Sequence, residues 1–135
     1  GYREKGVRIG ADTATLNYTE TSAQANGFRS HKFNTWQVTG EYDLNSQITL
    51  AAQVANNGAG NCTLNGAISC STVGLGGDLV GFGMKYVLDR NFSVFALAAK
   101  GTANSGAVLS LGSNAGKTAI GGTINAVAVG INARF

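Results

Sequence analysis

At 135 residues the chain has room for one domain at most. Only 13% of its residues are charged, about half the usual share of a soluble domain, yet no apolar run approaches the roughly 20 residues of a membrane helix. The net charge of +3 is scattered, with no Lys/Arg cluster or basic-aromatic stripe, which argues against nucleic-acid binding. Proline is absent and glycine numbers 20, a composition that disfavours helices and leaves central strands permissible.

Gly1-Tyr2-Arg3-Glu4-Lys5 looks like neither a translation start nor an export signal, so the chain is expected to be a mature or truncated piece of something longer. Val7, Ile9 and Ala11 then share one parity, and Ala14, Leu16 and Tyr18 share the other. A slip of one residue turns every side chain over, so the spacing predicts a tight turn near Asp12-Thr13, with a bulge in one long strand as the alternative. Residues 23–31 read as a loop, with Asn26-Gly27 as its turn signal.

From Asn34 to Leu44 the chain has two clear faces. Trp36, Val38, Gly40, Tyr42 and Leu44 fall on one, and Thr35, Gln37, Thr39, Glu41 and Asp43 on the other. After Asn45-Ser46 the chain reverses, and Ile48, Leu50, Ala52 and Val54 continue the alternation. A long Gly/Asn/Ser segment follows at about 56–77. It holds Cys62 and Cys70 with no histidine near them, which favours a disulfide-closed loop over a zinc site and implies an oxidising compartment.

Val80, Phe82, Met84, Tyr86 and Leu88 form the next apolar series, and Asp89-Arg90-Asn91 turns the chain. Residues 92–100 are apolar at both parities. That suits either a contact between subunits or a stretch of filled barrel interior. A second Gly/Ser/Asn segment spans 101–122. The closing strand places Val127, Val129, Ile131, Ala133 and Phe135 on one face, against Ala126, Ala128, Gly130, Asn132 and Arg134.

An internal repeat organises these elements. Tyr42-Asp-Leu44-Asn45-Ser-Gln-Ile48-Thr49-Leu50 matches Tyr86-Val-Leu88-Asp89-Arg-Asn-Phe92-Ser93-Val94 at a spacing of 44 residues. Each copy is strand, short turn, strand, and each is followed by a long segment. Short turns alternating with long loops are the rhythm of an up-and-down membrane barrel.

The turn motif Tyr86-Val-Leu88-Asp89-Arg90-Asn91 and the terminal strand Val127–Phe135 resemble the general porins of Gram-negative bacteria. The turn carries Asp and Asn where that family has Ser and Arg, and Ala133 stands where a bulkier residue is common. The resemblance covers the last half of the chain well and the first thirty residues weakly. It implies an all-β, antiparallel, up-and-down transmembrane barrel in the outer membrane. The predicted function is passive diffusion of small hydrophilic solutes and ions through a water-filled channel. It also implies a homotrimer of the complete protein, contact with outer-membrane lipid and the barrel-assembly machinery, and no cofactor. Val127, Val129, Ile131 and Phe135 would form the assembly signal. Six or seven strands cannot close a barrel alone, so the chain is expected to be the C-terminal portion of a porin or to complete a barrel with other chains.

If the apolar faces meet lipid, then Arg8, Gln37, Glu41, Lys85, Asn132 and Arg134 line the pore, with a mildly positive field. Enzyme chemistry finds little support. His31 sits alone in a polar segment, and Gly112-Ser-Asn-Ala-Gly116-Lys117-Thr118 is one residue too short for a phosphate loop. The competing reading is a structural or adhesive surface β protein without pore activity, its apolar faces packed on another sheet.

Overall fold

A computed structural model describes residues 1–19, 28–64, 69–108 and 118–134. They form nine strands, all paired antiparallel, and no helix. In chain order these are β1 (Tyr2–Glu4), β2 (Val7–Thr19), β3 (Phe28–Asp43), β4 (Ile48–Asn57), β5 (Asn61–Leu64), β6 (Ser69–Cys70), β7 (Gly77–Val87), β8 (Phe92–Ala103) and β9 (Thr123–Ala133). The sheet is a meander, β1-β2-β3-β4-β7-β8-β9, in one layer, and β9 does not pair with β1 or β2.

Three expectations change here. No turn interrupts β2: it pairs residue for residue with β3 from Val7↔Tyr42 to Thr19↔Ser30, without a bulge. The parity slip at Asp12-Thr13 is real, but it records a change of surroundings along one straight strand. Below it, Val7, Ile9 and Ala11 join an apolar face; above it, that face turns to Thr13, Thr15 and Asn17. On the opposite face Leu16 and Tyr18 meet β3 aromatics. Tyr18 stacks on Phe33 at 6.0 Å, and Phe33 lies 5.1 Å from His31. These contacts also explain why β3 begins at Phe28 rather than Asn34: its upper end has partners on both sides, β2 and β5.

The segment 56–77, read as a loop, contains a second hairpin. Above Asn57 the chain steps out and re-enters as β5 along the same edge of β3, then reverses into β6. Cys62 and Cys70 are cross-strand partners joined by a disulfide, with Cα atoms 5.5 Å apart. The chain rejoins the main sheet at Gly76, which has φ +93°, and a Cβ there would stand 2.1 Å from the Asn57 carbonyl oxygen. Only glycine fits that joint.

Three short turns lie at one end of the sheet. Lys5-Gly6, at φ 45° and 83°, links β1 to β2 in the left-handed form that matches strand twist. The two repeated turns are built alike. Asn45 Oδ1 accepts the N–H groups of Gln47 and Ile48, both at 2.8 Å, and Asp89 Oδ1 accepts those of Asn91 and Phe92 at 2.6 and 3.0 Å. Longer connections occupy the other end. There Asn104 and Gly106 bond to the carbonyls of residues 74–76, and Ala103, Ala107 and Thr118 are buried.

A single layer has no core between layers. The chain exposes 9353 Å², against about 6,600 Å² for a compact globular protein of 13.8 kDa. No described side chain is fully buried, and large apolar side chains such as Phe82, Val127, Val129 and Ile131 stand exposed.

Candidate functional site

Register and parity sort the two faces. The first is apolar on every long strand. Trp36–Tyr42, Ile48–Val54, Val80–Tyr86, Phe92–Ala98 and Val127–Ala133 each contribute four alternate residues to it, about 20 Å of strand apiece. Phe82, Val127, Val129 and Ile131 are 64%, 79%, 78% and 71% exposed. Beyond this band, towards the long connections, the same face carries Thr13, Asn56, Asp78, Thr102 and Thr123 in one register row.

The band does not run square to the strands. Trp36 on β3 lies in register with Asn56, Asp78, Thr102 and Thr123, one residue set above the band on its neighbours. At the other margin Phe92 and Ala133 extend below Tyr86. With Leu44 and Leu88 counted at its lower margin, the band's centre slips from β3 to β9 by about 10 Å along the strands over about 19 Å across them, a slant of roughly 27°.

The opposite face holds the polar groups. Register brings Arg8, Gln37, Glu41, Lys85 and Asn132 together on it, across β2, β3, β7 and β9. Arg8 lies opposite Glu41, and its Nε donates to Glu41 Oε2 at 2.7 Å while Nη2 donates to Asp43 Oδ1 at 2.9 Å. Thr49 Oγ1 donates to the same Asp43 oxygen at 2.8 Å. Farther up, Gln53 donates to Gln37 at 3.0 Å and Gln37 to Asp12 at 3.4 Å. Asp43 and Asp12 were not singled out in the sequence. Asp43 shares Glu41's parity and could have been found that way; Asp12 was hidden by the expected turn.

Across β7, β8 and β9 this face changes character. Gly81, Gly83, Ala99, Ala126 and Ala128 make a shallow floor. The Phe95 ring lies over Gly130, where a Cβ would stand 2.4 Å from the ring, and Leu97 lies over Gly83. The doubly apolar run 92–99 thus resolves into Phe92, Val94, Ala96 and Ala98 on the exposed band, and Phe95, Leu97 and Ala99 laid on small neighbours.

Arg134 follows β9 and donates its backbone N–H to the Asn91 carbonyl at 2.9 Å. Its side chain joins Lys85, Arg90, Asn91, Ser93 and Asn132 around a groove of about 150 Å³ at the short-turn end. Positive charge is therefore not spread over the face. Arg8 is matched by two carboxylates, while Lys85, Arg90 and Arg134 make no ion pair with a described residue.

Val127, Val129 and Ile131 stand on the exposed band, and Phe135 lies outside the described residues. His31 is held by the Ala59 carbonyl, 3.1 Å from its Nε2. Most of the segment 112–118 also lies outside the described residues.

No family model, curated protein or solved structure matches this chain.

Proposed function

We propose that this chain is the C-terminal part of a porin, a water-filled outer-membrane channel for passive diffusion of small hydrophilic solutes and ions. The observation that carries the reading is the slant of the exposed apolar band. A flat hydrocarbon slab crossed by tilted strands marks them with an apolar stripe oblique to the strand axis. The slant of roughly 27° is oblique in this sense and shallower than the roughly 35–45° tilts of outer-membrane barrels. The six long strands, of 10 to 16 residues, also reach the 9–11 residues that a tilted strand needs to cross.

On this reading the face bearing Arg8, Gln37, Glu41, Lys85, Asn132 and Arg134 lines water, and solutes pass it without a binding-and-release cycle. The short turns mark the periplasmic rim. The two open edges, formed by β1 with the rest of β2 and by β9, pair with further strands, either from the rest of a longer chain or from other copies, because lipid does not tolerate open edges. Localisation in a Gram-negative outer membrane, delivery by the barrel-assembly machinery and trimer formation by the complete protein belong to the same proposal. So does the role of Val127, Val129, Ile131 and Phe135 as the assembly signal.

The alternative, a structural or adhesive surface protein, places a second sheet on the apolar band. The complete protein reconstituted into planar bilayers separates the two: stepwise ion conductance is expected. A chain that stays soluble and monomeric without detergent, and conducts nothing, sinks the porin reading.

A further inference from the structure

We propose that the groove at the short-turn end of β7, β8 and β9 is a binding site for a phosphate-type oxyanion. The two repeated hairpins supply the argument. In the first, Thr49 pairs across the strands with Asp43, and its hydroxyl donates to the Asp43 carboxylate, which Arg8 also holds. Cation, hydroxyl and carboxylate are all provided by the chain itself.

In the second hairpin the equivalent cross-strand pair is Ser93 and Val87. The hydroxyl remains and its acceptor has gone. Ser93 is only 8% exposed, lines the groove, and makes no side-chain hydrogen bond with a described residue. No buried side-chain polar atom among the described residues lacks a partner, so this hydroxyl opens on the groove, where the place of the Asp43 carboxylate is left to a ligand.

The charge around it has reversed as well. Lys85 occupies the place equivalent to Glu41, and Arg90 and Arg134 join it. Asp89 is the one acid on the groove, and its Oδ1 is occupied by two backbone N–H groups of its own turn. Asn91 and Asn132 add amide donors. What is missing is a compact anion with several acceptor oxygens. Phosphate meets that description better than chloride, because guanidinium forks pair with tetrahedral oxyanions through two parallel hydrogen bonds.

The groove opens on the face opposite the apolar band, so the ligand comes from water: inorganic phosphate or a soluble phosphate monoester. The site does not depend on channel activity. A chain that binds phosphate but does not conduct retains this proposal and loses the previous one.

The test is a ³¹P NMR titration of inorganic phosphate into the full chain in zwitterionic micelles. Saturable binding is expected, weakened about tenfold by Arg134→Gln and about threefold by Ser93→Ala, and restored by Ser93→Thr. Lys100→Gln, on the apolar-band face, serves as the control and leaves affinity unchanged. Competition by glycerol phosphate, with none from phosphatidylglycerol in the micelle, upholds a water-borne ligand. Displacement by the lipid alone overturns that source. An equal loss with Lys100→Gln, or chloride competing as well as phosphate at equal ionic strength, reduces the groove to a diffuse positive field and overturns the site.

Discussion

The hairpins β3–β4 and β7–β8 start from one sequence pattern and agree on only one side. On the exposed band the equivalent residues are Val38 and Phe82, Tyr42 and Tyr86, Ile48 and Phe92, Leu50 and Val94. On the opposite face they are Gln37 and Gly81, Glu41 and Lys85, Asp43 and Val87, Gln53 and Leu97. On the porin reading the band answers to one requirement, contact with an apolar medium, so any apolar side chain serves. The other face answers to its own neighbours, and there the two copies have diverged as far as charge reversal. The turns lie between these extremes: Asn45 and Asp89 differ in charge yet accept the same two backbone hydrogens.

The comparison breaks most sharply on the shared side. Val38→Arg and Phe82→Arg are each expected to cost about 2–4 kcal/mol in urea titrations of the lipid-folded protein, because both positions would face hydrocarbon. Neutrality at either would remove the common environment. The joint between the hairpins comes next. Gly76→Ala forces a Cβ towards the Asn57 carbonyl in a left-handed conformation, and a loss of about 2–3 kcal/mol is expected in the same titration. The turns should then respond as a pair. Asn45→Ala and Asp89→Ala each remove one acceptor of two N–H groups, for about 1 kcal/mol apiece. Asn45→Asp and Asp89→Asn should be near neutral by thermal melting. The smallest effect belongs to the diverged face. Arg8 is one-third exposed, so Arg8→Gln should cost under about 1 kcal/mol, and less at high salt. Lys85→Gln should leave stability unchanged.

Much of this arrangement was legible in the sequence because strand parity is a local rule. Period two placed Gln37, Glu41, Lys85 and Asn132 on one face without knowledge of the pairing. The repeated Leu-Asn/Asp motif marked both turns through the side chain that closes them, and two cysteines eight residues apart marked a disulfide-closed loop, though not the β5–β6 strands within it. What escaped depends on contacts between strands. Along β2, hydropathy changes face where the strand leaves the band, and a change of surroundings has the same signature as a turn. The upper end of β3 looked like a loop because its support comes from Leu16 and Tyr18 on one side and β5 on the other. The slant of the band is invisible in any one strand. It exists only once the register of five strands is known. The unpaired cations at the turn end were equally hidden, since Arg90 sits in a turn and Ser93 gains meaning only from its partner Val87.

The meander has a kinetic consequence. Each main strand finds its neighbour through the next turn along the chain, and Asp43, Val87 and Arg134 then donate backbone hydrogen bonds to Gly6, Gln47 and Asn91 in the preceding turns. Sequence-local pairing keeps loop-closure entropy low at every step. The sheet can therefore grow one hairpin at a time, each completed turn offering the carbonyl on which the next strand registers. Within the sheet the β4–β7 and β8–β9 pairings close the longer connections, and on the porin reading the pairing of β9 with a strand beyond this sheet closes the longest. That step, rather than any pairing seen within the sheet, is the one expected to set the rate of assembly.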